Sequence, residues 1–164
     1  MSKTIMILVA NGFDEVDFTE AQRAFGAEGL KAKVVSVENG LVNSWRDNSW
    51  GHHFPSDANV STALGADYDC LFVPGGTRSI TKLSENPHTK RILRSFIDAQ
   101  KPVALQGQAT DLLALCEREN APIVSGAGLT KNEKFITDML NTFAQGFVEL
   151  SVACLLYTSD AADE

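Results

Sequence analysis

The sequence predicts an α/β fold, a three-layer α/β/α sandwich built on a mostly parallel sheet. Three observations carry this. Residues 4–10 and 68–73 are almost unbroken apolar runs, the pattern of strands buried on both faces. Segments with helical apolar spacing alternate with such runs. The runs end in turn-forming residues, among them Asn11-Gly12 and Pro74-Gly75-Gly76. Right-handed crossovers between parallel strands then place helices on both faces. The length of 164 residues suits one domain, expected over 1–153.

Taken in order, residues 4–10 (TIMILVA) form the first strand. Residues 16–28 place Phe18, Ala21, Gln22 and Phe25 at helical spacing, and Gly29 fits the stop. Residues 32–37 (AKVVSV) are a second strand, closed by Glu38-Asn39-Gly40. Residues 41–57 hold two tryptophans, two histidines and Pro55 and read as irregular; 57–64 read as a short helix. Residues 68–73 are the third strand. Asn86 is an N-cap with Pro87 at the first helical position, and Ile92, Leu93, Phe96 and Ile97 mark that helix's apolar face. A short strand (102–105), a helix (111–118), a further strand (122–124) and a helix (131–143) complete the reading.

Composition narrows the function. Apolar residues are 44% and charged residues 21%, as in an ordinary globular domain. No apolar run approaches the ~20 residues of a membrane span. The N-terminus lacks a signal-peptide pattern, so a cytoplasmic location is expected and no membrane partner. Three cysteines without CxxC or Cys/His ligand spacing suggest neither a disulfide framework nor a metal. The net charge of −7 comes without a basic stripe, so nucleic acid is not an expected partner. Neither GxxxxGK[ST] nor GxGxxG is present, and no cofactor is expected.

In a parallel sheet, ligands bind beyond the carboxyl ends of the strands. Three loops there carry unusual residues: 11–15 (NGFDE), 74–78 (PGGTR) and 106–110 (QGQAT). Together with ILVANGFDEVDFTE, KVVSVENGLVNSW, WGHHFPSD, YDCLFVPGG and KPVALQGQATDLLAL, in this order and spacing, they resemble the DJ-1/PfpI superfamily. That family is related to class I glutamine amidotransferases. The resemblance is clearest over residues 4–115 and implies a flavodoxin-like fold.

By this resemblance, the family chemistry uses a cysteine on a sharp strand-to-helix turn, where helix dipole and N–H groups favour thiolate. Where the family reads close to PVAAICHGPWLL, this chain reads PVALQGQATDLL. The cysteine position is Gly107 and the following histidine position is Gln108, and neither supplies a thiolate or an imidazole. The family's acidic partner falls on Asp14, one methylene shorter, and Gly75 and Gly76 match its glycines. Asp14, Gly107 and Gln108 therefore stand at the family's catalytic positions, and none of the three is assigned as a catalytic residue. Asp14, Gly75, Gly76, Gly107 and Gln108 are the candidate ligand-binding residues. The resemblance implies a non-catalytic or altered homologue, one that binds a small carbonyl or anionic ligand with a link to stress response. The alternative is a cysteine-independent hydrolase, deglycase or glyoxalase in which Asp14 or a histidine activates water. A homodimer is implied by the family.

Each residue also has a plainer role. Asp14 is either a pocket acid or a helix cap for the N–H groups near Val16 or Asp17. Glu15 and Asp17 are expected as solvated first-turn acids. Cys70 packs within its strand, and Cys116 lies too far along its helix to replace the missing thiol. His52 and His53 point to opposite faces of an extended segment, with only Asp57 near enough in sequence to orient either. His88 is expected to be exposed in a helix's first turn. Trp45, Trp50 and Phe54 form a lid, a dimer contact or a local cluster. Arg78 either adds charge to the Gly75-Gly76 site or is an exposed helix-start arginine.

Residues 154–164 (CLLYTSDAADE) resemble the translation of a sequencing adapter. They are expected to be foreign to the domain, with the natural product continuing beyond Ala153.

Overall fold

The computed structural model describes residues 4–99, 101–115, 123–125 and 139–140. The elements run β1 (Thr4–Val9), β2 (Phe13–Asp14), α1 (Glu15–Ala27), β3 (Lys31–Ser36), β4 (Leu41–Arg46), β5 (Ser49–Pro55) and β6 (Ala58–Asn59). A single 3-10 turn, Gly65–Asp67, leads to β7 (Cys70–Val73), α2 (Thr77–Glu85), α3 (Pro87–Asp98) and β8 (Val103–Leu105). A 3-10 helix, Gly107–Leu115, and β9 (Ile123–Ser125) follow.

Six strands form one parallel sheet in the order β6-β3-β1-β7-β8-β9. The central strand, β1, is buried from Ile5 to Val9, as its apolar run requires. Its alternate residues point to opposite faces. Met6 and Leu8 join Leu71, Val73, Leu83, Ile92, Leu93 and Phe96 beneath α2 and α3. Ile5, Ile7 and Val9 join Phe18, Ala21, Phe25 and Phe72 beneath α1. These are the three layers of the α/β/α sandwich, and the fold is flavodoxin-like.

Asn86 caps α3 as predicted, accepting the His88 N–H at 2.9 Å behind Pro87. Three local expectations change. Residues 41–57 are not irregular: β4 and β5 make an antiparallel hairpin that joins β2 in a second, three-stranded sheet. Its two-residue turn, Asp47-Asn48, holds both φ values positive (53° and 64°), the signature of a hairpin turn matching strand twist. Residues 57–64 contain β6 and turns rather than a helix. The helix start offered at Arg78 is α2, whose extent was not read; Gly76 stands at its N-cap without a side-chain cap. Of the helix expected at 131–143, only 139–140 fall among the described residues, and both are helical. The expected adapter-like segment, 154–164, lies outside them.

Candidate functional site

The chain leaves β1 for β3 on one side and returns to β7 on the other. This switch opens a crevice at the carboxyl ends of β1, β7 and β8, where the three predicted loops meet. Hydrogen bonds tie the first loop to β4 and to the second loop. Gly12 N–H donates to the Asn43 carbonyl at 2.8 Å, and Asp14 N–H to the Gly75 carbonyl at 2.8 Å. Gly76 has φ 116°, and a Cβ there would fall 2.8 Å from the Asp14 nitrogen and against the Gly12 carbonyl oxygen. Only glycine fits this crossing of loops.

Asp14 is the N-cap of α1: its Oδ1 accepts the Asp17 N–H at 3.0 Å. Asp17 is the acid that turns into the crevice, not a solvated first-turn acid. Its Oδ2 accepts the Gly75 N–H at 3.1 Å. Burial, then the nearby charge of Asp14, push its carboxyl up to about 7, against the lowering effect of the Gly75 N–H. Gln108 makes the matching contact beside it, its Oε1 accepting the Gly76 N–H at 3.0 Å. The two glycine N–H groups expected to face an anionic ligand thus already serve Asp17 and Gln108. The glycines shape the crevice, and the acid and the amide are the groups it presents.

Gly107 stands at the strand-to-helix turn after β8 with φ 58°. Among the described residues, a Cβ placed there meets only the Gly75 Cα, at 3.7 Å, an ordinary contact, so they leave room for a side chain at this turn. The only cysteine among the described residues, Cys70, is buried at the opposite end of β7. Cys116 lies outside them.

On the other side of α1, Glu15 is buried, not solvated. It accepts the Ser44 hydroxyl at 2.6 Å, the His52 N–H at 2.9 Å and Arg46 Nη1 at 3.2 Å, with His52 Nδ1 at 3.1 Å. The Ser44 hydroxyl first, then the His52 amide, pull its carboxyl down to about 2. Glu15, not Asp57, therefore orients His52; Asp57 instead accepts the Val34 N–H at 2.7 Å. Phe54 packs on Phe18 with ring centroids 4.7 Å apart, which ties the hairpin to α1. Trp45 and Trp50 pair edge-to-face at 5.1 Å, and the Arg78 guanidinium lies 4.3 Å over the Trp45 ring.

Sequence reasoning brought Gly75, Gly76, Gly107 and Gln108 to one place and missed Asp17. A signal was available: Asp14-x-x-Asp17 has the spacing of a helix cap and its N3 partner. That assigns Asp14 to the cap and leaves Asp17 on the helix face it shares with Ala21. Among the described residues, no group of three or more His, Cys, Asp or Glu is placed to hold a metal. None of their helices is long and apolar enough to cross a membrane.

Comparison with known proteins follows the same lines. The DJ-1/PfpI family description matches residues 3–163. General stress protein 18 of Bacillus subtilis is 25% identical over 166 residues, covering 100% of this chain and 92% of that protein. Catalase-1 of Neurospora crassa is 26% identical over 113 residues, 69% of this chain but 15% of that much longer protein. The structure of a ThiJ/PfpI domain protein from Brachyspira murdochii superimposes with a TM-score of 0.76 at 19% identity, over 88% of this chain and 98% of that one.

Proposed function

Because the chain belongs to the DJ-1/PfpI family, we propose that it is a member whose crevice binds a small carbonyl compound without attacking it. One observation carries the reading. The turn that would carry a nucleophile is Gly107, where the described residues leave room for a side chain, flanked by Asp17 and Gln108 on adjacent glycine N–H groups. A carboxyl with a pKa near neutrality both donates and accepts, and the Gln108 amide carries further N–H donors. These are partners for a carbonyl oxygen, and nothing at the turn forms a bond to its carbon. The likeness to a general stress protein supports a stress-linked role. Family membership also supports a homodimer, which sedimentation velocity would test.

The test uses hydroxyacetone as a neutral carbonyl probe and calorimetry as the readout. The protein is expected to bind it. Gly107→Asn fills that room with a residue that tolerates positive φ, and is expected to weaken binding at least about tenfold with the fold retained. In parallel, multiple-turnover consumption of methylglyoxal is expected only after Gly107→Cys. Turnover by the unaltered protein that Asp17→Asn removes would replace this reading with a cysteine-free enzyme.

A further inference from the structure

We propose that Arg78, held on the Trp45–Trp50 pair, is an anion clamp at the mouth of the crevice, and that the ligand is a carbonyl compound bearing a carboxylate. This rests on the carbonyl-binding reading and names the class of ligand.

Arg78 lies two residues beyond Gly76. Its Cβ occupies the place where a side chain on Gly12 would stand, so its stem is pinned against the loop after β1. Its guanidinium carbon then stands over the hairpin's aromatic pair, 4.3 Å from the Trp45 centroid and 5.9 Å from that of Trp50. Those two residues face each other across β4 and β5 beside the Asp47-Asn48 turn. A cation–π contact does not consume the five N–H donors of the guanidinium, whose fork suits a planar, bidentate acceptor.

The neighbouring cations show what is missing. Arg46, on the same hairpin, pairs with Glu15 at 3.2 Å and Asp47 at 3.8 Å. Lys82, one turn along α2, pairs with Glu38 at 3.6 Å. Among the described residues no carboxylate stands within ion-pair distance of Arg78. Arg78, on the loop that carries Gly75 and Gly76, is thus held against the loop after β1 and over the tryptophans, without an ion-pair partner among the described residues. A ligand carboxylate supplies one while the carbonyl reaches Asp17 and Gln108.

The chain's only two tryptophans are Trp45 and Trp50, so their emission reads this clamp directly. Pyruvate and hydroxyacetone are similar in size and differ in the carboxylate. Pyruvate is expected to bind more tightly and to shift tryptophan emission saturably. Arg78→Gln is expected to weaken pyruvate about tenfold, the loss of one charge-assisted contact, and to leave hydroxyacetone unchanged. Arg78→Lys keeps the charge without the planar fork and is expected to restore only part. Hydroxyacetone binding, with pyruvate no tighter or indifferent to Arg78→Gln, overturns the clamp and leaves the carbonyl reading standing. Failure of both compounds to bind the unaltered protein overturns both.

Discussion

Glu15 and Asp17 are two residues apart in the first turn of α1, and their surroundings separate them by chemistry. Glu15 turns to the hairpin and finds a hydroxyl, a backbone N–H, a guanidinium and an imidazole. Asp17 turns to the crevice and finds one glycine N–H, with the charge of Asp14 close by. The first carboxyl is held at about 2, the second raised to about 7. At Asp17 burial is the largest influence and one donor does not offset it; at Glu15 the donors outweigh burial. An acid with four partners is a structural anchor. An acid with one keeps most of its acceptor capacity unspent.

The contrast breaks hardest at Glu15. Glu15→Ala strands the His52 N–H and frees Arg46, while the Ser44 hydroxyl keeps the His52 carbonyl at 2.9 Å, so a loss of about 2 kcal/mol is expected in urea unfolding at pH 7. Because the folded carboxyl lies below its ordinary 4.5, its contribution is full above that value and disappears as pH falls toward 2. The gap between Glu15→Ala and the parent should narrow across that window.

Asp17 has the opposite sign. Its folded carboxyl lies above its ordinary 3.8, so the folded state keeps a proton that the unfolded chain has released. Its favourable contribution is full below 3.8 and is lost as pH rises through 7. Asp17→Asn keeps an oxygen for the Gly75 N–H and removes the charge. It should gain about 1 kcal/mol over the parent at pH 8 and nothing at pH 3.5, measured by the same unfolding. A variant that stays level with the parent at pH 8 would place Asp17 in an ordinary solvated setting. The smallest effect belongs to His52→Ala. The His52 side chain is 79% exposed, so losing its bond to Glu15 should cost at most about 0.5 kcal/mol, near the limit of the measurement.

The sheet was legible because burial on both faces writes a continuous apolar run, as in β1 and β7. The α3 cap was legible because Asn-Pro has few other uses. The hairpin was hidden because β5 is exposed on most of its length and carries no alternation to read. Its one clear mark was Asp47-Asn48 between two tryptophans. Helix α2 showed only as a possible start at Arg78, because a glycine loop runs into it without a capping side chain. At the site, glycines aligned by text fell where the loops need them. The acid was assigned to Asp14 because family text fixes a segment, whereas the direction of each carboxylate follows from the helix turn. The Arg78 stack joins residues 33 positions apart in sequence, and no local pattern announces it.

The Asp47-Asn48 turn sets two clocks for the folding reaction. Trp45 and Trp50 meet across a loop of a few residues, and such hairpins close in about 1–10 μs. The parallel core waits on distant partners, since Ile5 must find Ala32 on one side and Cys70 on the other. Closing such long loops slows formation of the sheet relative to the hairpin. Refolding followed by tryptophan emission should therefore show an early phase that far-ultraviolet dichroism of the sheet does not share. The rim of the crevice would take shape before the crevice itself.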